Sequence, residues 1–404
     1  MLTSAGAWLT GRDATARLQR DLQQRLGVRS CHAVSTGRAG LTLLLRALAR
    51  NAADGRDEVL IPSYTCYSVA ASVAKAGLKV RLGDIDPATL EFDYEQLRQL
   101  DLRRVLAIVA TNLYGLPNDL PTLVSIARER GIFVIDDAAQ ALGARVGDRW
   151  CGTWGDAGLY SFDKGKNLSA IDGGVVVSDS VRLKDAIARE FDALPAAAMS
   201  ESLHGMTKLA AYITLLPPRL YWIPNSIPAL GLGETVYTTE YPMTRPPSFL
   251  SALAARMLPR LDAYTARRRS NAERMLQGLR DIAGVQPIRA VTGAEPVYLR
   301  LPVLVRDRRT RDAAIASLKR AGIGATGSYP RSIADVPELA VHLRGDHGAS
   351  GGRTVASRIM TLPTHPYVTE QDCARAVAVL RRVLETTSGG VQADAAVRPA
   401  GASL

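Results

Sequence analysis

From about residue 13 to residue 180, short apolar runs alternate with helical patterns, and that alternation leaves few folds open. The runs lie at 59–61, 80–82, 105–109 and 132–135. Apolar residues recur at helical spacing over 13–26, 41–49 and 121–130. A run that is apolar on both faces must be covered on both, and parallel neighbours need a long crossover that a helix can supply. The pattern therefore predicts an α/β fold, a mostly parallel central sheet flanked by helices. In such sheets functional residues gather beyond the carboxyl ends of the strands. The turn after Ile61 and the acid at Asp137 fall at such ends.

At 404 residues the chain exceeds one small core, so a large domain over 1–248 and a smaller α+β domain over 249–387 are expected. The smaller one is read as a long helix over 249–279, a strand over 297–305, and helices over 311–321 and 370–384. Residues 388–404 are rich in Gly, Ala and Ser and are expected to form a disordered tail. Residues 200–240 break the rhythm with apolar stretches that prolines interrupt, none long enough to span a bilayer. Two readings stand for this insertion. It packs at a subunit interface or over the active site, or residues 205–235 touch a membrane surface, with Tyr221, Trp222, Lys208 and Arg219 at the boundary.

The net charge of +11 favours anionic partners, yet no nucleic-acid motif accompanies the scattered basic residues, so nucleic acid is not expected. Cys31, Cys66, Cys151 and Cys373 form no Cys-x-x-Cys pair, and the five histidines lack metal-ligand spacing. No metal is expected. The first ten residues lack the basic stretch and apolar run of a signal peptide, so a cytoplasmic protein is expected.

Two local patterns carry chemistry. One is Tyr160-Ser161-Phe162-Asp163-Lys164-Gly165-Lys166-Asn167-Leu168, followed by Asp172-Gly173-Gly174. The other is Ile132-Phe133-Val134-Ile135-Asp136-Asp137-Ala138-Ala139-Gln140. A lysine amine and a strand-end carboxylate are what pyridoxal 5'-phosphate (PLP) requires: the amine carries the aldehyde as a Schiff base, and the acid keeps the pyridine nitrogen protonated. By chemistry alone Lys164 and Lys166 stay equal. Asp136 and Asp137 point to opposite faces of their strand, so only one of them can face the ring.

With Ser35-Thr36-Gly37-Arg38-Ala39-Gly40-Leu41, Ile61-Pro62-Ser63-Tyr64-Thr65, Leu113-Tyr114-Gly115-Leu116-Pro117 and Leu362-Pro363-Thr364-His365-Pro366, these motifs run in order along nearly the whole chain. The set resembles the DegT/DnrJ/EryC1/StrS family of PLP-dependent sugar aminotransferases, which have the type I PLP-dependent transferase fold. In that family the Schiff-base lysine stands five residues after the serine and seven before the double glycine, and only Lys166 fits both. The resemblance likewise selects Asp137 for the pyridine nitrogen, leaving Asp136 to local hydrogen bonds. It places Gln140 near the cofactor's phenolic oxygen, with a purely structural amide as the other reading.

Ser161 matches the hydroxyl that binds the cofactor phosphate, and the Arg38 and Ala39 amides open a helix whose free N–H groups suit an anion. The Arg38 guanidinium either adds charge there or turns to solvent. Relatives stack an aromatic residue on the ring directly after the threonine. Here Cys66 stands in that place, so Tyr67 or Tyr64 would supply the face. Arg245 takes the place of an arginine that reaches the neighbouring subunit's substrate, while Met243 replaces the asparagine expected beside it. His365 is read as structural.

The activity implied is transfer of an amino group from an amino acid, glutamate foremost, to a nucleotide- or lipid-linked keto-sugar. The resemblance also implies a homodimer and a role in surface polysaccharide or glycoside biosynthesis. A PLP-dependent sugar dehydratase and a non-catalytic sensor or scaffold are the rivals. Lys166 speaks against the first, and the intact set of Lys166, Asp137, Gln140 and Ser161 against the second.

Overall fold

The computed structural model describes residues 11–52, 55–215, 236–345 and 348–395. Its main sheet has eight strands in the order Ser30–Val34, Gly174–Ser178, Ala157–Ser161, Phe133–Asp137, Val105–Thr111, Glu58–Pro62, Lys79–Gly83 and Leu343–Arg344. Gly174–Ser178 runs antiparallel to both of its neighbours, and the remaining pairs are parallel. All four apolar runs read from the sequence coincide with these strands, the last of them starting one residue before its strand at Phe133. Val105–Thr111 is buried along its whole length, as a central strand covered on both faces must be.

The helix Gly37–Ala49 buries Leu41, Leu43, Leu44, Leu45 and Leu48, and is apolar nearly all round because it lies inside the core. Thr36 caps it by accepting the Ala39 N–H at 3.0 Å. Gly11–Leu26, Tyr67–Lys75 and Leu120–Glu129 are further helices of this layer.

The expected helix over 249–279 is two helices, Ser248–Met257 and Leu261–Leu279, joined by the turn Leu258–Arg260. Pro259 is the reason: it has no N–H to donate to the preceding turn and its ring crowds the carbonyl there. Ala254, Leu258 and Leu261 join the core that Leu18 and Leu22 share with the main sheet, so this segment packs on the larger body. Arg300–Val305 lies between Val285–Pro287 and Ile359–Pro363 in a three-stranded antiparallel sheet. Leu261–Leu279, Arg308–Arg320 and Glu370–Ala395 pack its core, where Met275, Leu301, Leu318, Met360 and Leu380 meet.

The two sheets are laced together. Leu343–Arg344 extends the edge of the main sheet, and the Asp84 carboxylate accepts the Gly351 and Gly352 amides. The last helix continues to Ala395, through residues expected to open a disordered tail. Met199–Leu215 is a helix held by the close approach of Gly205 to the Phe249 ring. The apolar stretch around Tyr221 and Trp222, the rest of the 205–235 insertion after residue 215, and the end of the tail lie outside the described residues.

Candidate active site

Asp136 and Asp137 end the strand Phe133–Asp137 and face opposite ways. Asp136 is fully buried and accepts hydrogen bonds from Asn112 Nδ2 at 2.8 Å, the Trp154 amide at 3.1 Å and the Gly152 amide. Burial pushes it up to about 6 against the pull of those donors. Asp137 accepts the Ala139 amide at 2.9 Å. Burial raises it too, and the Ala139 N–H and the nearby Lys166 charge oppose the rise. Lys166 is half-buried in a turn closed by its own N–H to Asp163 O at 3.1 Å, while Lys164 is exposed. The structure separates the two lysines that chemistry alone left equal.

A buried polar network backs Lys166. Asn167 donates through Nδ2 to Leu142 O and Thr265 Oγ1, both at 2.9 Å. Its Oδ1 accepts from Arg268 Nε at 2.9 Å, and Arg268 Nη1 also donates to Leu299 O at 2.8 Å and Thr364 Oγ1 at 3.3 Å. The loop bearing Lys166 is thus tied to the smaller sheet. Sequence reasoning missed Arg268 because it sits in the run Arg267-Arg268-Arg269, where nothing marks one arginine as buried.

The start of the helix Gly37–Ala49 lies against the end of Ala157–Ser161. A Cβ on Gly37 would meet Ser161 Cβ at 3.0 Å and Oγ at 3.1 Å, and one on Gly174 would meet Gly37 N at 2.9 Å. Only glycine allows that approach, which sets the Ser161 hydroxyl beside the helix N-terminus. The Ala39 amide is engaged by Thr36. The Arg38 guanidinium lies over the Tyr241 ring at 4.7 Å from its centre, with Lys75 Nζ at 4.6 Å from the same ring. Asp172 lies close by. Burial and Asp163 raise it to about 6, and the Gly173 amide, Lys208 and Arg38 moderate the rise.

Tyrosines form the other wall. Gln140 Oε1 accepts the Tyr114 amide at 3.0 Å, and its Nε2 donates to Tyr329 Oη at 3.1 Å. The Tyr64 hydroxyl lies 3.4 Å from Tyr114 Oη and accepts the Tyr329 amide at 3.3 Å. The Tyr67 hydroxyl accepts the Arg331 amide at 3.0 Å. Both hydroxyls therefore anchor the segment 329–331. Cys66 Sγ accepts from Ser68 Oγ at 2.9 Å, and burial followed by the Cys66 thiol holds the Tyr329 phenol well above its usual range. Tyr114 and Ser328 adopt left-handed backbone at φ 57° and 55°, strain that collects where side chains must be aimed. Tyr329 was not singled out from the sequence, since nothing near it in the chain marks it.

Arg245 is not gathered into this group. Its guanidinium lies 5.1 Å from the Phe191 ring centre and donates to Asp192 O at 3.1 Å. Met243 packs against the core beneath the helix Gly37–Ala49. His365 is open to solvent on one side, but partial burial and then the Arg268 and Arg300 charges push it down to about 4.

These residues fit PLP. A buried carboxylate whose only protein donor among the described residues is the Ala139 amide lies near enough to a half-buried amine to feel its charge, and a glycine-lined helix start lies beside a serine hydroxyl.

The chain matches the DegT/DnrJ/EryC1/StrS aminotransferase family over residues 2–381. It is 26% identical over 355 residues to the UDP-N-acetyl-3-dehydro-alpha-D-glucosamine 3-aminotransferase of Acidithiobacillus ferrooxidans, covering 87% of this chain and 83% of that one. It is 34% identical over 158 residues, 39% of this chain and 42% of the relative, to a pleiotropic regulatory protein of Geobacillus stearothermophilus. Among solved structures, the aminotransferase TlmJ of Streptoalloteichus hindustanus superposes with a TM-score of 0.73 at 25% identity, over 93% of this chain and 91% of that one. AtS13 of Actinomadura melliaura gives 0.72 at 26% identity, over 91% and 90%.

Proposed function

The chain belongs to the DegT/DnrJ/EryC1/StrS aminotransferase family and is a PLP-dependent sugar aminotransferase, and we propose that it carries nitrogen from an amino acid, glutamate foremost, to the ketone of a nucleotide-linked sugar. The observation that carries the residue assignment is the half-buried Lys166 whose charge acts on the buried Asp137. PLP, when bound, supplies the aldehyde that accepts amines and a ring that takes up electrons.

The chain's own residues do the rest. Lys166 Nζ would hold the cofactor and, once free, would move the proton from the donor's α-carbon to the carbon that bore the cofactor's aldehyde. Asp137 keeps a positive charge on the pyridine nitrogen, because a buried carboxylate with one amide donor is stabilised by a cation at its free oxygen. Ser161 and the Gly37–Ala49 helix start bind the phosphate. Gln140, held between Tyr114 and Tyr329, aims its amide beside the ring. Tyr67 and Cys66 would line the other face, while Tyr64, fully buried, holds Tyr329 instead.

The substrate of the Acidithiobacillus relative supports a nucleotide-linked acceptor. Incubating the protein with PLP, 15N-glutamate and a UDP-linked 3-keto-sugar should yield 15N-labelled amino-sugar. Borohydride should fix PLP on Lys166 alone. Unlabelled sugar together with cofactor fixed elsewhere would remove both parts of the proposal.

The protein acts as a homodimer in the cytoplasm in this reading, with Arg245 offered to the neighbouring subunit. A membrane contact, with a lipid-linked sugar as its substrate, is the second reading. The helix Met199–Leu215 supports it: Met199, Leu203, Met206 and Ile213 lie along one stripe and are 84%, 63%, 47% and 70% exposed. Among the described residues no helix is long and apolar enough to cross a membrane. Co-sedimentation with anionic liposomes, lost on removing 205–235 while PLP stays bound, is the expected result. Intact protein that ignores liposomes would end this second reading.

A further inference from the structure

Arg300 opens the central strand of the smaller sheet, and its guanidinium has only neutral partners. Nε donates to Thr361 Oγ1 at 2.7 Å, and Nη2 donates to Thr361 O at 3.0 Å and Gly324 O at 2.5 Å. Among the described residues no carboxylate lies within ion-pair distance of it, nor of Arg268, whose charge is close enough to act on His365 together with that of Arg300. Burial pushes both guanidinium groups down to about 10. Several other buried or half-buried arginines do pair with an acid: Arg25 with Asp262, Arg269 with Glu295, Arg274 with Glu370 and Arg311 with Asp312. A desolvated cation without an anion is costly, and two adjacent ones more so.

The location narrows the missing anion. Arg300 and Tyr114 are near enough that each alters the other's charge, and Tyr114 gives its amide to Gln140 beside the proposed cofactor ring. Arg300 is half-buried, with Nε and Nη2 committed to Thr361 and Gly324. That leaves only the two N–H groups of Nη1 for an anion, enough for a single carboxylate and too few for the several oxygens of a diphosphate.

We infer that Arg300 binds a carboxylate of the amine donor, with Arg268 behind it reinforcing the positive field. The inference rests on the aminotransferase reading, whose two substrates are both anions, and it assigns Arg300 to the amino acid rather than to the nucleotide sugar. In the order of the reaction, Arg300 holds the donor while Lys166 moves its proton, then releases the keto acid before the sugar enters.

Maleate, a dicarboxylate that cannot give up nitrogen, is the probe for the donor, and UDP the probe for the acceptor. Each is titrated into the PLP-loaded protein, read by cofactor absorbance and by thermal midpoint. Arg300→Gln should weaken maleate at least tenfold and leave UDP within twofold. Arg300→Lys, which keeps the charge but shifts the donor, should fall between. In turnover, Arg300→Gln should raise the KM for glutamate and leave the KM for the sugar unchanged. Loss of UDP with maleate retained, or loss of neither, overturns the assignment. If Arg300→Gln fails to fold, wild-type protein titrated with dimethyl maleate decides the matter: binding equal to that of maleate would overturn it. Failure of wild type to transfer 15N would remove the functional reading while the maleate titration still tests Arg300.

Discussion

Replacing Arg268 by leucine should separate stability from catalysis. The change removes the donors that reach Asn167 Oδ1 at 2.9 Å and Leu299 O at 2.8 Å, together with a long contact to Thr364 Oγ1 at 3.3 Å that adds little. The single Thr364 hydroxyl proton lies between Tyr298 O at 2.5 Å and Leu299 O at 3.1 Å, so Leu299 O keeps a shared donor while Asn167 Oδ1 loses its partner outright. Hydrogen bonds from a charged donor contribute about 1.5–3 kcal/mol each, so two cost about 3–6 kcal/mol. Against that, the guanidinium is 6% exposed and burial holds it at about 10 instead of 12.5, a penalty of about 3 kcal/mol that leucine escapes. The net loss is about 0–3 kcal/mol.

For a chain this long the unfolding entropy is about 0.8 kcal/mol per kelvin, so the thermal midpoint should fall by no more than about 4 °C. Catalysis should suffer far more. Asn167 follows Lys166 directly, and a displacement of about 1 Å at the reacting amine costs on the order of 100-fold. The assay pairs a thermal melt of the PLP-loaded variant with kcat from 15N transfer. A kcat within threefold of wild type at an unchanged midpoint would refute the positioning role of Arg268. A midpoint lower by about 10 °C would refute the cancellation.

Three further outcomes follow from the site. Lys166→Ala should abolish borohydride fixation and lower turnover by at least about 1,000-fold, whereas Lys164→Ala should stay within a few-fold; equal losses would mean that burial does not distinguish them. Gly37→Ala should weaken PLP by about tenfold or more, read by fluorescence titration, because its Cβ would stand 3.0 Å from Ser161 Cβ; unchanged affinity would show that the cradle yields freely. Asp136 titrates at about 6 in the fold against about 3.8 unfolded. The folded state therefore binds the extra proton, and the resulting stability is fully present below about pH 3.8 and lost as pH rises through 6. The midpoint of wild type relative to Asp136→Asn should fall between about pH 4 and 6, an effect of up to about 3 kcal/mol. A difference that stays flat from pH 4 to 8 would contradict the burial of that carboxylate.

The sheet and the motifs of the candidate site were legible in the chain because their causes are local. Burial on two faces writes an uninterrupted apolar run, as in the Val105–Thr111 strand, and crossover helices leave their own period between such runs. Lys166 and Asp137 each sit in a short motif whose spacing survives without coordinates. The break at Pro259 between Ser248–Met257 and Leu261–Leu279 was missed, because the helical period on both sides hid it.

Residues made important by distant neighbours were not legible. Tyr329 meets Gln140 only because the smaller sheet folds back over the larger one, and Leu343–Arg344 reads as a fragment until it pairs with Lys79–Gly83. Arg268 and Arg300 look like any other members of a strongly basic chain. Charge in a sequence says nothing about solvation, and only tertiary packing decides which cations lose their water and must find another partner.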